Sequence, residues 1–198
     1  QWVGLDPSCS SFTFSTVMEG IHILKVKLID RIGNIRTGVV NFTVDVDFPT
    51  VEIINPLPYG FLKGPDVNLT WRGSDPTSGI EEYEIRLDNG TWIPVGKREY
   101  VTLTGLEMGQ HWFNVRATDL AGNFLVEGVG FSIDFVKPLL VIVEPLNGTF
   151  LNKRNVVIRW ETSDMGSGKV TSSIYLNGDT YASDSNASEI AIDNLEHG

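Results

Sequence analysis

The sequence contains little that would cross-link the chain, hold it in a membrane or attract it to polyanions. Its 198 residues include one cysteine, Cys9, so an internal disulfide framework is excluded and stability must come from packing. No apolar run approaches the length of a membrane span. Lys and Arg number 15 against 25 Asp and Glu, and the resulting net charge of -10 makes nucleic acid and anionic membranes poor partners.

Helical periodicity is also missing, and a repeat of 89 residues is present instead. Residues 17–45 return, largely in register, as residues 106–134. Identical residues 89 positions apart include Gly20 and Gly109, His22 and His111, Asp30 and Asp119, Trp71 and Trp160, and Asp75 and Asp164. A fixed period over most of a chain indicates an array of equivalent modules.

Within one period, the hydrophobic pattern is that of short, half-buried strands. Apolar and polar residues alternate over residues 67–71 and 83–87, as they do in strands with one face in a core. Turn signals separate these segments, and the Asp-Asn-Gly at residues 88–90 is typical of a tight hairpin. Seven such strands in a complete period predict an all-β fold of tandem Ig-like antiparallel β-sandwiches.

The period divides the chain into one complete module and two partial modules. Residues 47–135 contain the complete module, residues 1–46 the C-terminal half of another, and residues 136–198 the N-terminal part of a third. Two arrangements follow from this division. The chain is a window on a longer repeat protein, or its half-modules complete one another between copies and form a head-to-tail polymer by strand complementation.

The corner and hairpin of the repeat carry a family resemblance. The residues Gly109, His111 and Asp119 with Ala-Gly-Asn at 121–123 resemble bacterial and archaeal Ig-like surface repeats, which are similar in shape to fibronectin type III modules. The resemblance implies a non-enzymatic extracellular structural protein at the cell surface, as a stalk, surface-layer, adhesin or filament subunit. It implies neighbouring modules or copies of the chain as partners, and also surface glycans or cell-surface proteins.

Acidic residues cluster near the predicted junctions between modules. In an Ig-type sandwich, the loops after the second and sixth strands lie at the end where the chain enters, beside the incoming linker. Oxygen ligands converging there are suited to Ca²⁺, which would stiffen the junction, and the sequence suggests no other cofactor. The alternative is that these carboxylates accept hydrogen bonds from turn amides or remain solvated. The predicted calcium ligands are Asp45, Asp47, Asp75, Asp119, Asn123, Asp134 and Asp164.

Five Asn-X-Ser/Thr sequons predict N-glycosylation in a secreted setting. They do not recur with the 89-residue period, which favours surface decoration over a structural role. Glycosylation of this kind favours an archaeal or eukaryotic surface over a typical bacterial one. The sequon asparagines are Asn41, Asn68, Asn89, Asn147 and Asn186.

The sequence does not support catalysis. His22 and His111 are in phase with the core strands, and no serine, cysteine or second histidine accompanies them in a catalytic pattern. We predict a structural role, in place of the tyrosine that ties this corner to the backbone in Ig-like folds. The competing function is a carbohydrate-binding or accessory module of a secreted enzyme, which requires a solvent-facing aromatic platform at Trp92 or Trp112.

Overall fold

A computed structural model of the chain describes residues 3–6, 8–168, 170–193 and 195, without the side chains of residues 183–185. This part of the chain is all-β, and it contains no helix that could cross a bilayer. Its strands are β1 Gly20–Ile29, β2 Ile35–Val44, β3 Thr50–Asn55, β4 Phe61–Leu62, β5 Val67–Ser74, β6 Ile80–Leu87, β7 Ile93–Gly96, β8 Tyr100–Leu103, β9 Gly109–Asp119, β10 Phe124–Ile133, β11 Leu139–Glu144, β12 Val156–Ser163, β13 Ser172–Leu176, β14 Asp179–Ser185 and β15 Glu189–Ile192.

Strands β3 to β10 form the two sheets of the middle module. One sheet has the order β3-β5-β8 and the other the order β4-β10-β9-β6-β7. Antiparallel pairing joins β3 to β5, and β6 to both β7 and β9. The alternation pattern predicts seven strands here, and the structure adds an eighth, β4, which pairs in parallel with the end of β10. A strand of two residues is too short to leave a periodic signal in the sequence.

The core of the middle module lies between these two sheets. The ring of Trp71 in β5 packs edge-on against Tyr83 in β6, with centroids 6.0 Å apart, and lies 5.9 Å from Phe113 in β9. Because Tyr83 and Phe113 belong to the opposite sheet, these contacts define a sandwich. The buried apolar residues are Val51, Val67, Leu69, Trp71, Tyr83, Ile85, Val95, Phe113, Val115, Ala117, Val129, Phe131 and Ile133.

The strands outside the middle module form smaller sheets. β1 pairs with β2 along the whole of both strands, from Gly20 opposite Val44 to Ile29 opposite Ile35. Three further strands have the order β11-β12-β15, and β13 pairs with β14. Many strands start 89 residues apart: β1 and β9 at 20 and 109, β2 and β10 at 35 and 124, β3 and β11 at 50 and 139, β5 and β12 at 67 and 156, and β8 and β15 at 100 and 189.

The chain divides into two compact units, whose boundaries cut through strands of the middle module. The first unit consists of Gln1–Asn55, Leu69–Val101 and Phe113–Gly128. The second consists of Pro56–Asn68, Thr102–Trp112 and Val129–Gly198. The first unit contains the β1–β2 hairpin and the loops that follow β5 and β9. The second contains the loop that follows β12, together with strands β11 to β15.

Candidate functional site

Three carboxylates meet in the first unit, where the linker after β2 reaches the middle module. Asp45 follows β2, Asp75 follows β5 and Asp119 is the last residue of β9. Oxygens of all three carboxylates lie within 4.8 Å of one another. Asp119 is fully buried, whereas Asp45 and Asp75 are half-buried. Like charges this close repel, so the arrangement favours a neutralising cation.

Asp75 is held by the loop that it begins. Its Oδ1 accepts hydrogen bonds from the amides of Thr77, Ser78 and Gly79, at 3.1, 2.8 and 2.9 Å. Burial raises the pKa of the Asp75 carboxyl, but these amides together bring it below its ordinary value. The group is therefore an anion at neutral pH, and its Oδ2 is buried with no hydrogen-bond donor in the described part of the chain.

Asp119 organises the turn between β9 and β10. Its Oδ1 accepts hydrogen bonds from the amides of Ala121 and Asn123 at 2.8 and 2.9 Å, and its Oδ2 accepts one from Asn123 Nδ2 at 2.9 Å. Gly122 has a φ of 94°, in the left-handed region that favours glycine. Asn123 Nδ2 also donates to the backbone oxygen of Asp45 at 3.3 Å. The Asn123 side chain therefore ties the turn to the linker as a donor.

Asp45 is the linker's contribution to the cluster. Its Oδ1 accepts a hydrogen bond from the Asp47 amide at 3.2 Å, and its Oδ2 is buried with no donor among the described residues. Asp47, which the sequence also suggested as a ligand, is exposed and is not part of the group of three. The linker therefore supplies one of its two acids to the cluster.

A further contact at this junction, between Thr77 and Glu19, was not predicted from the sequence. Thr77 Oγ1 donates to Glu19 Oε1 at 2.7 Å, which connects the loop after β5 to the corner before β1. Glu19 belongs to no sequence motif and lies outside the alternating apolar and polar pattern of the strands. The repeat pattern could have flagged it, because Glu19 and the matching Met108 differ in charge.

The remaining predicted ligands, Asp134 and Asp164, lie together in the second unit but are arranged differently. Asp134 Oδ2 accepts a hydrogen bond from the Ser167 amide at 2.6 Å, and its Oδ1 accepts one from Val136. Asp164 Oδ2 accepts hydrogen bonds from Ser167 Oγ and the Gly168 amide, both at 2.8 Å. These two hydrogen bonds lower the pKa of Asp164, whose Oδ1 is buried with no donor in the described residues.

Gly166 makes room for Asp134 at this second junction. A Cβ atom on Gly166 would lie 2.1 Å from Cγ of Asp134, far inside van der Waals contact. The position 89 residues earlier is Thr77, which has a side chain. The residue at this loop position therefore decides whether the linker carboxylate can enter the loop.

All five sequon asparagines are exposed, as a glycan attachment site requires. Asn68 lies on β5, where its Oδ1 accepts a hydrogen bond from Thr102 Oγ1 at 2.7 Å. Asn147 lies in a turn closed by the hydrogen bond from the Thr149 amide to the Leu146 oxygen. The attachment of a glycan at these positions remains a prediction.

The two tryptophans of the carbohydrate-binding alternative have different surroundings. Trp92 is half-buried, with the guanidinium carbons of Arg86 and Arg116 at 4.6 and 4.9 Å from its ring centroid. Two cations therefore occupy positions over the ring where a sugar would stack. Trp112 is 48% exposed and lies against Gly130, where a Cβ would come within 2.8 Å of the indole ring. Of the two rings, Trp112 is the more exposed.

Both histidines of the repeat tie their corner to the backbone four residues upstream. His111 Nε2 lies 2.9 Å from the Glu107 oxygen, and His22 Nε2 lies 2.6 Å from the Met18 oxygen. Each ring also packs on a phenylalanine of the adjacent strand. These contacts agree with the structural role predicted for His22 and His111.

Comparisons with known proteins found similarity among solved structures, whereas no family model and no curated protein matches the chain. One similar structure contains the fibronectin(III)-like modules of Clostridium thermocellum CbhA, at 18% identity and a TM-score of 0.48, covering 74% of this chain and 80% of that one. Another is a tetra-tandem repeat in the extending region of a large adhesion protein, at 17% identity and a TM-score of 0.37, covering 92% of this chain and 50% of that one. Both are likenesses of fold at low identity.

Proposed function

We propose that this chain is a non-enzymatic structural segment of an extracellular tandem-module protein, a stalk or filament in which each module positions the next. The observation that carries the proposal is the meeting of the linker acid Asp45 with Asp75 and Asp119 of the following module. Two hydrogen bonds cross the same junction, from Asn123 to the Asp45 backbone and from Thr77 to Glu19. A junction with this many polar ties restricts the angle between modules.

Calcium at this junction is part of the proposal. Oxygens that share one Ca²⁺ at 2.3–2.6 Å lie at most about 5 Å apart, and the three carboxylates meet this limit. Asp45 Oδ2 and Asp75 Oδ2 are buried with no hydrogen-bond donor among the described residues, and a buried acceptor left without a partner costs about 1–3 kcal/mol. A cation bound by Asp45, Asp75 and Asp119 removes that cost, links the linker to the module and stiffens the junction.

Calcium titration of the whole chain after chelation tests this proposal. We expect isothermal titration calorimetry to detect binding, and thermal unfolding to move to higher temperature in calcium because the ion binds the folded state. Asp119→Asn should abolish both effects. Asp30→Asn is the matched control, since Asp30 holds the same kind of turn through the amides of Ile32 and Asn34 but belongs to no acidic group in the described chain. Calcium binding that survives Asp119→Asn, or is absent from the unmodified chain, would contradict the metal junction.

The secreted location is supported by the five exposed sequons. Expression in a host that performs N-glycosylation, followed by mass spectrometry of peptides, tests each of the five asparagines separately.

The carbohydrate-binding alternative has weaker support, because the guanidinium groups of Arg86 and Arg116 cover Trp92 and leave Trp112 as its exposed ring. Binding of the chain to immobilised polysaccharides that is lost in Trp112→Ala would favour it.

A further inference from the structure

Two hydrogen bonds connect the three clustered carboxylates to the corner that precedes β1, and both bonds are donated by Thr77. The hydroxyl of Thr77 donates to Glu19 Oε1 at 2.7 Å, and its amide donates to Asp75 Oδ1 at 3.1 Å. Glu19 is exposed and lies directly before Gly20, the first residue of β1, whereas Thr77 is half-buried. A carboxylate of the preceding module therefore holds the residue whose amide holds one of the clustered acids.

The two oxygens of Asp75 have different surroundings. Oδ1 accepts three amides of its own loop, the first of them from Thr77. Oδ2 is buried and has no hydrogen-bond donor among the described residues. Because Oδ1 is occupied, Oδ2 is the oxygen suited to bind a cation together with Asp45 and Asp119. The direction of Oδ2 then depends on how the loop holds the Asp75 carboxylate.

The contact with Glu19 restricts that loop. Hydrogen bonds that orient a metal ligand keep it in the binding geometry, and they reduce the conformational freedom that is lost when the ion binds. Thr77 is held on its side chain by Glu19 and on its backbone by Asp75, so its position is fixed from both sides. Removal of the Glu19 contact would leave the loop to hold Asp75 through backbone hydrogen bonds alone.

We propose that Glu19 is a positioning residue of the calcium junction: through Thr77 it orients Asp75 and raises the affinity of the carboxylate cluster for Ca²⁺. This inference rests on the proposed calcium junction and adds a residue of the preceding module to its control. Because coupling between two interactions is reciprocal, calcium binding strengthens the contact between Glu19 and Thr77 by the same factor. Ion binding and the contact between the modules therefore stabilise each other.

The second junction shows that this positioning is a feature of the first junction. The residues that match Glu19 and Thr77 there are Met108 and Gly166. Methionine has no carboxylate to accept this hydrogen bond, and glycine has no hydroxyl to donate it. Gly166 instead leaves the space that the Asp134 carboxylate occupies. The preceding module therefore has no equivalent means of holding the loop that follows β12.

Calcium titration of variants of the whole chain, by isothermal titration calorimetry, tests the role of Glu19. Glu19→Ala and Thr77→Val should each weaken calcium binding about tenfold, the lower end of the range for hydrogen bonds that orient metal ligands. The double variant should bind no more weakly than either single variant, because both substitutions break the same hydrogen bond. Thr77→Ser keeps the hydroxyl donor and should retain the affinity of the unmodified chain.

Glu81→Ala is the matched control for the loss of one negative charge. Glu81 is exposed, follows Ile80, which lies opposite Asp119 in the sheet, and belongs to no acidic group in the described chain. Its removal should leave the calcium affinity unchanged. A loss of affinity in Glu81→Ala as large as that in Glu19→Ala would overturn the proposal, because it would show a general effect of charge.

Urea denaturation with and without calcium gives the second measurement. The loss of stability in Thr77→Val should be larger in saturating calcium than after chelation, because the variant binds the ion more weakly. A contact that stabilises only the fold would give equal losses in both conditions, and that result, or an unchanged calcium affinity in Glu19→Ala, would refute the positioning role alone. Absence of calcium binding in the unmodified chain would refute the metal junction, and the role of Glu19 with it.

Discussion

The junctions that enter and leave the middle module are built from matching residues, yet their acids are used differently. In the first, Asp75 accepts the loop amides, and Asp45 lies beside it with a buried oxygen for which the described part of the chain offers no donor. In the second, Asp134 itself accepts the amide of Ser167. Both oxygens of Asp134 accept a backbone amide, whereas only one oxygen of Asp45 does among the described residues, so Asp134 has less need of a cation. We therefore expect the first junction to depend on calcium more than the second.

Two positions account for this difference. The first junction has Thr77 hydrogen-bonded to Glu19, and the second has Gly166 and Met108 at the matching positions. Glycine opens the space that Asp134 enters, and methionine has no carboxylate to accept a hydrogen bond. The comparison shows how a repeat can keep one fold while changing the chemistry of each junction.

Removal of the buried acid of the first junction should have the largest effect on stability. Asp119→Ala deletes a fully buried carboxylate that accepts three hydrogen bonds, and we expect a loss of about 3 kcal/mol in the free energy of unfolding. Urea denaturation followed by tryptophan fluorescence measures it. Asp30→Ala, in the exposed matching turn, should cost much less. Equal losses of stability in Asp119→Ala and Asp30→Ala would show that the junction adds no stability beyond that of the turn itself.

Closing the space at the second junction should have the next largest effect. Gly166→Thr makes this loop resemble the first one and displaces Asp134, so its charged hydrogen bond with Ser167 is lost at a cost of about 2 kcal/mol. The same denaturation experiment measures the change. Gly168→Ala is not a suitable control because Gly168 has a φ of 69°, so Gly64→Ala, in open space, is used. No difference between Gly166→Thr and Gly64→Ala would refute the role given to Gly166.

The hydrogen bond between Thr77 and Glu19 should contribute less, because it is exposed. Thr77→Val keeps the shape of the side chain and removes the donor, and we expect a loss of about 0.5 to 1 kcal/mol. A double-mutant cycle with Glu19→Gln isolates the pair from other effects of each substitution. Met108→Glu places a carboxylate at the matching position of the second junction, where Gly166 offers no hydroxyl, and should change stability little.

Acid should weaken both junctions by a small amount. The pKa values of Asp75 and Asp164 are lowered in the folded chain, so each group stabilises the fold above the pKa of an unfolded aspartate, about 4. That contribution is lost as pH falls from about 4 through the folded pKa. Denaturation curves between pH 6 and pH 3 should show this decline, and Asp75→Asn should make it shallower. If stability declined equally steeply with falling pH in Asp75→Asn, Asp75 would not be a cause of the acid sensitivity.

The strands of the middle module could be predicted well from the sequence because their alternation is local. Val67, Leu69 and Trp71 are buried as the period-two pattern predicted. The prediction failed where the local signal was short, because β4 has only two residues. In a sandwich, every second side chain along a strand faces the core. The sequence pattern along each strand therefore predicts most of the buried residues.

The candidate site could be predicted in part. The sequence placed Asp45, Asp75 and Asp119 together, because the loops at one end of an Ig-type sandwich face the incoming linker. It could not separate Asp45 from Asp47, since which linker acid turns toward the loops depends on the path of the backbone. It also gave no sign that Asn123 would contribute a donor to Asp45, or that Glu19 would reach Thr77. Those contacts join residues 58 and 78 positions apart.

The sequence by itself determined the all-β fold, the alternating cores and the acidic, cysteine-poor character of the chain, because each depends on composition or on neighbours a few residues away. Only the tertiary structure decided which carboxylate oxygens accept amides and which are buried with no donor among the described residues. That outcome depends on the space left by single side chains such as Thr77 and Gly166, and on the direction of the linker between modules. The space around a side chain is set by packing in three dimensions, which the 89-residue repeat does not specify.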